Sequence, residues 1–141
     1  MGIWKWITHE GILASQQLVG PQAWDPLFAQ SSEEQLVSVI RSTKGYEDRH
    51  FAPTLQRLLA SSNEPVAESA ARALGHPVYS GSETALGNLL ASESQRLNYA
   101  AVAGLAGIKS QQSVAILLEA EREHPDQRVR RLIDARLGVP E

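Results

Sequence analysis

Apolar residues recur along this chain with the spacing of one face of an α-helix, and the pattern returns twice after 31 residues and a third time after 28. The recurring set has apolar residues at relative positions i, i+3 and i+4, which lie on one stripe of a helix. Four sets have this spacing: Trp24, Leu27 and Phe28; Leu55, Leu58 and Leu59; Leu86, Leu89 and Leu90; and Val114, Leu117 and Leu118. They predict four amphipathic helices, which we call the first helices.

A second apolar stripe follows each set, with its members four positions apart, and predicts a second helix. Its members are Val66, Ala70 and Leu74; Leu97, Ala101 and Leu105; and Val129, Ile133 and Leu137. Leu36 and Ile40 begin the same series earlier, but Lys44 then stands where an apolar residue is expected. The first helix pair is therefore degenerate, as terminal repeats often are.

Residues that begin and end helices lie between these stripes. Asp25 stands before Pro26, and Ser32 stands three residues before Gln35, as Ser31 stands three residues before Glu34 one frame earlier; these arrangements predict N-caps. Ser82 and Ser94 precede two further helical stripes and are predicted to cap them. Pro65 is placed at the start of a second helix, where its missing N–H is harmless. Three glycines follow predicted last turns, where a left-handed cap is easiest for glycine: Gly45, Gly75 and Gly138.

The recurrence predicts how the helices are arranged. A helix pair buries its apolar surface fully only against neighbouring pairs, so we expect one all-α domain, residues 1–141, that forms a short α-solenoid. It would contain an N-terminal capping helix in residues 1–21 and helix pairs in 22–45, 46–76, 77–108 and 109–141. An up-and-down bundle would explain the stripes but not their return after 31 residues.

Two segments resemble the second helices of HEAT repeats. They are Val66-Ala-Glu-Ser-Ala70-Ala71-Arg-Ala73-Leu74-Gly75 and Asp126-Gln-Arg-Val129-Arg130, the latter similar to the family's Asp-x-x-Val-Arg motif. The short period is similar to that of phycobilin-lyase-type HEAT proteins. The resemblance implies that the second helices line the inner face of the stack, the usual binding surface of that family.

Composition narrows the possible functions. The 13 Lys and Arg residues against 16 Asp and Glu give a net charge of −3, which argues against a general nucleic-acid binder. The chain has no cysteine, so disulfides and thiolate metal sites are excluded. The apolar run Leu97–Ile108 is shorter than the roughly 20 residues of a membrane span. We expect a cytoplasmic protein.

No residue pattern predicts catalysis. The four histidines, His9, His50, His76 and His124, have no metal-ligand spacing, and we expect His76 and His124 to favour helix C-terminal ends. Gly104-Leu-Ala-Gly107 lacks the lysine of a nucleotide-binding loop and predicts close helix packing instead. We therefore expect no enzyme activity, no cofactor and no metal.

Equivalent positions of the second helices should form rows on one face. These rows contain the candidate partner-binding residues Arg72, Arg96, Tyr99, Arg128 and Arg131. Tyrosine and arginine are enriched among the residues that dominate protein interfaces. We therefore expect a non-catalytic adaptor or scaffold that binds another protein on this face.

Other interpretations remain open. The chain could be a lyase-associated or chaperone-like HEAT protein acting on a tetrapyrrole-binding or other client, or a weak nucleic-acid-binding module. Trp4 and Trp6 lie in an apolar N-terminal segment that we expect to cap the helix row, or else to anchor a partner or a membrane. A homodimer through the N-terminal or C-terminal helix is also possible.

Overall fold

The computed structural model describes residues 20–138, which form eight α-helices and no strand. The helices are α1 Asp25–Gln30, α2 Glu33–Ser42, α3 Ala52–Leu58, α4 Glu64–Ala73, α5 Glu83–Leu90, α6 Gln95–Ile108, α7 Gln111–Glu123 and α8 Gln127–Leu137. The all-helical prediction is confirmed for these residues. The predicted capping helix of residues 1–21, with Trp4 and Trp6, lies outside the described residues except for Gly20 and Pro21.

Each of the four predicted sequence units contains one pair of these helices. Short 3₁₀ turns at Pro21–Trp24, Arg49–Phe51 and Pro77–Tyr79 lead into α1, α3 and α5. The second helices pack against one another in chain order, because α2 contacts α4, α4 contacts α6, and α6 contacts α8. Each second helix also packs against the first helix of its own pair.

Small residues allow α4 and α6 to approach closely, as predicted for Gly104 and Gly107. A Cβ atom at Gly104 would lie 2.5 Å from the carbonyl oxygen of Ala71. A Cβ atom at Gly107 would collide with the backbone of Gly75. Both glycines are therefore required by the distance between the helices rather than by their own backbone angles.

The helix starts agree with the sequence at most positions. Ser32 and Gln35 form the predicted capping box of α2, and Ser94 caps α6 by accepting a hydrogen bond from Leu97 N. The prediction that Asp25 is an N-cap is wrong, because Asp25 is the first residue of α1 and its carboxylate contacts His50 Nε2 at 2.8 Å instead. Ser82 precedes α5 but makes no side-chain capping bond.

Of the three glycines predicted to end helices in a left-handed conformation, two have that conformation. Gly45 and Gly138 have φ angles of 90° and 69°, which confirms a left-handed conformation at both. The prediction for Gly75 is wrong, since its φ is not positive. A Cβ atom there would lie 3.1 Å from the carbonyl oxygen of Ala103, so glycine serves close packing at this position.

Helix α7 departs from the register that the apolar stripe predicts. The sequence places Val114, Leu117 and Leu118 on the buried side, but only Leu117 is buried there. Val114 is 38% exposed and Leu118 is 46% exposed, whereas Ser113 is fully buried. The buried positions of α7, Ser113 and Leu117, thus lie one residue before the predicted Val114 and Leu118.

Polar side chains connect successive second helices at the same position. The first residue of α2, α4 and α6 hydrogen-bonds to the loop that begins the next second helix. The pairs are Ser61 Oγ to Glu33 Oε2 at 3.4 Å, Ser94 Oγ to Glu64 Oε2 at 2.7 Å, and Gln95 Nε2 to Asp126 Oδ2 at 2.9 Å. We call these three bonds the polar ladder. The bond to Gln95 is the first cause of the lowered pKa of Asp126.

Candidate protein-interaction face

The five candidate residues lie on three second helices. Arg72 is on α4, Arg96 and Tyr99 are on α6, and Arg128 and Arg131 are on α8. Arg72, Arg96, Arg128 and Arg131 are exposed, whereas Tyr99 is half-buried and packs against the apolar core. We call the surface that carries them the second-helix face.

Glu68 of α4 brings two of these arginines together. Its Oε1 atom accepts a hydrogen bond from Arg96 Nε at 2.7 Å, and its Oε2 atom lies 3.6 Å from Arg72 Nε. Arg96 Nη1 also lies 3.8 Å from Glu64 Oε1. The Glu68 side chain is only 19% exposed, while those of Arg72 and Arg96 are about half exposed. A mostly buried carboxylate therefore holds two accessible guanidinium groups in place.

Arg128 and Arg131 are not part of this cluster. Neither guanidinium forms an ion pair within residues 20–138. The pKa of Asp126 is lowered first by a hydrogen bond from the Gln95 side chain, then by one from the Arg128 backbone, and to a smaller extent by the charge of Arg128. The structure thus joins Arg72 and Arg96 and leaves the α8 arginines apart on the same row of helices.

A cleft of about 470 Å³ opens beside Arg72, at the C-terminal ends of α2 and α4. Its lining consists of Ile40, Arg41, Thr43, Lys44, Glu47, Glu68, Ser69, Arg72, Ala73 and Gly75. Glu47 is engaged with the Gly45 N–H at 3.0 Å, and Glu68 is engaged with the arginines. Arg41 and Lys44 form no ion pair among the described residues, so their charges are available to an acidic group.

Sequence reasoning did not propose Arg41 or Lys44 as binding residues, and it placed Glu68 in a row with Tyr99 and Arg131 without assigning it a role in holding the arginines. Lys44 gave a signal, because it replaces the apolar residue expected in the stripe of the first unit. Glu68 and Arg72 have the i, i+4 spacing of a helical ion pair. Nothing in the sequence indicates that Arg41 lies near Arg72, since their proximity depends on the packing of α2 against α4.

The described histidines have structural roles. His50 contacts Asp25, and Nδ1 of His76 accepts a hydrogen bond from Val78 N at 3.0 Å. Nδ1 of His124 accepts one from Asp126 N at 3.0 Å. His124 is the C-cap residue of α7, and its Nε2 atom lies 2.9 Å from the carbonyl oxygen of Leu90 at the end of α5, which agrees with the expected position at a helix C-terminal end. The Nδ1 atoms of His76 and His124 each accept a backbone N–H of the turn that follows. His9 lies outside the described residues.

Residues 20–138 contain neither a metal-binding cluster nor a helix that could span a membrane. No group of three or more His, Asp or Glu side chains is placed to hold a metal ion in this part of the chain. Within the same residues, no helix combines the length and apolar character needed to cross a membrane.

Comparison with protein-family models, curated proteins and solved structures finds no match to this chain. The resemblance to HEAT repeats therefore rests on the residues of the chain itself.

Proposed function

We propose that this chain is a short α-solenoid of HEAT-like helix pairs and acts as a non-catalytic protein–protein interaction adaptor. The packing of α2, α4, α6 and α8 in chain order supports the solenoid. The polar ladder supports it as well, because the first residue of three successive second helices bonds to the loop that begins the next second helix. A row of equivalent helices presents equivalent side chains along one face.

The binding surface in this proposal is the second-helix face, centred on the cleft beside Arg72. The observation that carries it is the meeting of Arg41, Lys44 and Arg72 around one cleft, next to the Arg96 that Glu68 holds. Arginine forms paired hydrogen bonds with carboxylates. A partner would place an acidic side chain in the cleft, and Tyr99, Arg128 and Arg131 would extend the contact along α6 and α8.

Rigidity explains how such a surface would bind. Arg41, Arg72 and Arg96 lie on helices, Lys44 lies in the turn that follows α2, and Glu68 fixes Arg72 and Arg96 before any partner arrives. Ordering a long side chain at an interface costs about 0.5–1.5 kcal/mol. A surface that is already ordered avoids part of this cost and binds more tightly for the same contacts.

Photo-crosslinking followed by affinity measurement tests the proposal. A photoreactive amino acid replaces Lys44 or Arg131 on the second-helix face, or Ala115 on the exposed side of α7 as a comparison. The protein that crosslinks from Lys44 or Arg131 but not from Ala115 is identified and purified. A partner that crosslinks only from Ala115 contradicts the proposed face.

The affinity of that partner is then measured for two double variants. Arg41→Glu/Arg72→Glu reverses two charges in the cleft, and we expect binding at least about tenfold weaker, since like charges then face the acidic group. Arg57→Glu/Arg122→Glu reverses two arginines elsewhere and is expected to change binding less than about twofold. Equal losses in both variants, at unchanged helical content, contradict the cleft as the binding centre.

A further inference from the structure

A second groove, of about 800 Å³, lies between the C-terminal halves of α5 and α7. Its lining consists of Gly87, Leu90, Ala91, Ser92, Glu93, Asn98, Ile116, Glu119, Ala120, Glu123, His124, Pro125 and Asp126. We call it the α5–α7 groove. It is formed mainly by first helices and the loops that follow them, so it shares no lining residue with the cleft beside Arg72.

The groove contains an apolar strip. Ile116 and Ala120 are half-buried and contribute apolar surface, and the buried Leu90 lies at its base. Gly87 leaves room for a methyl group above Ile116, because a Cβ atom there would lie 3.5 Å from Ile116 Cγ2. The volume falls within the range of about 300–1,000 Å³ that is typical of ligand-binding pockets. The groove can therefore receive several apolar side chains of a partner.

The backbone carbonyl groups at the end of α5 are already engaged within the protein. Asn98 Nδ2 donates to the carbonyl oxygens of Leu89, Leu90 and Ser92 at 3.0–3.1 Å. His124 Nε2 lies 2.9 Å from the Leu90 carbonyl oxygen, while its Nδ1 accepts from Asp126 N. That geometry corresponds to the neutral imidazole with hydrogen on Nε2. His124 therefore adds no positive charge to the groove.

The charge of the groove is of one sign. Its lining includes the carboxylates of Glu93, Glu119, Glu123 and Asp126 and no lysine or arginine. Glu93, Glu119 and Glu123 form no ion pair within residues 20–138. The C-terminal ends of α5 and α7 also lie here, and helix C-termini favour cations. An occupant of this groove must carry positive charge.

From the apolar strip and the carboxylates together, we infer that the α5–α7 groove is a docking site for a basic amphipathic helix of another protein. Apolar side chains of that helix contact Leu90, Ile116 and Ala120, and its lysines or arginines contact the carboxylates. This is the common mode in which an amphipathic helix occupies a groove. The inference adds a second binding surface and does not depend on the second-helix face.

Binding of designed peptides tests the inference on the full chain. The probe is a fluorescent amphipathic helix of leucine and lysine of about 18 residues, or five turns. One comparison peptide has glutamate in place of lysine, and another has serine in place of leucine. We expect the leucine–lysine peptide to bind and both others to bind at least about tenfold more weakly, because each lacks one half of the complementarity.

Matched variants separate the groove from the general acidity of the protein. Glu119→Gln/Glu123→Gln removes two groove carboxylates, whereas Glu34→Gln/Glu121→Gln removes two carboxylates that do not line it. Both variants have the same net charge. We expect about tenfold weaker peptide binding in the first and less than about twofold in the second. Equal losses in the two variants overturn the inference.

The apolar strip is tested at Gly87. Gly87→Phe fills the space above Ile116 and should abolish binding of the leucine–lysine peptide, while Gly87→Ala should retain it. Unchanged binding to Gly87→Phe at native helical content overturns the inference. So does self-association of the chain that is lost in Glu119→Gln/Glu123→Gln while no peptide binds, since a second copy would then be the occupant.

Discussion

Glu83 is a buried carboxylate whose hydrogen bonds connect two helices. It is the first residue of α5 and is only 2% exposed. Its carboxylate accepts hydrogen bonds from Gly81 N at 2.6 Å, Ser110 Oγ at 2.6 Å and Ser80 Oγ at 3.3 Å. Burial by itself raises the pKa of Glu83, but these hydrogen bonds, with that of its own backbone, outweigh burial and lower it. Glu83 thereby connects α5 to the start of α7.

Replacing Glu83 by glutamine should destabilise the chain. The glutamine side chain would keep one acceptor oxygen and would turn an N–H donor toward groups that themselves donate. We expect a loss of about 1–3 kcal/mol in the free energy of unfolding, the usual cost of an unsatisfied buried polar group. Urea unfolding at neutral pH measures this loss, and Glu34→Gln, an exposed site, serves as the control.

The same residue predicts a pH dependence. Because the folded pKa of Glu83 lies below its ordinary value of 4.5, the ionised group stabilises the fold above that value. The contribution is lost as pH falls through the folded pKa. Wild type and Glu83→Gln should therefore converge in stability as the pH is lowered. A constant difference between them at all pH values would contradict this role.

Individual residues differ in how far the sequence predicts them. Ser32 and Ser94 were predictable as caps because a capping side chain bonds within its own turn. Glu83 and Glu68 were not, since their partners Ser110 and Arg96 lie in the next unit. Bonds between units depend on the distance between helices, which the local pattern does not contain.

At the scale of whole helices, packing decides what each glycine does. Gly87 and Gly104 both lie inside helices, but their surroundings differ. A Cβ atom at Gly87 would make ordinary contact with Ile116, whereas one at Gly104 would lie 2.5 Å from the Ala71 carbonyl oxygen of the neighbouring helix. The apolar pattern predicted close packing at Gly104 and contained no information about the room beside Gly87.

These surroundings predict opposite effects of alanine. Gly87→Ala should stabilise the chain by about 0.5–1 kcal/mol, because alanine favours the helix and fits the space. Gly104→Ala should destabilise it by about 1–3 kcal/mol, because α4 and α6 must separate. Thermal and urea unfolding measure both changes. A neutral or stabilising Gly104→Ala would show that the two helices do not approach as closely as described.

The register of α7 was predicted incorrectly, and its packing gives the reason. The sequence pattern identifies an apolar stripe but not which part of it faces the core. Ser113 is buried because its hydroxyl bonds to the Ser110 carbonyl oxygen at 2.9 Å and its backbone is capped by Ser110. A buried serine with satisfied hydrogen bonds replaces the expected valine, and Val114 is left exposed.

For the molecule as a whole, the sequence predicted an all-helical fold, which the eight described helices confirm for residues 20–138. It did so because the apolar spacing and the caps are local properties that repeat. It did not predict that the surface would carry two clefts of opposite charge, a basic one between α2 and α4 and an acidic one between α5 and α7. Those clefts depend on how neighbouring units are placed, as the polar ladder also does.

Nuclear Overhauser effects between methyl groups test the proposed row of helix pairs most directly. Labelled isoleucine, leucine and valine methyl groups should show contacts between α2 and α4, α4 and α6, and α6 and α8. A row predicts no contact between methyl groups of its first and last second helices, such as Ile40 and Ile133. Contacts that join Ile40 to Ile133 would instead mean one globular bundle, and they would contradict the solenoid on which the proposed adaptor depends.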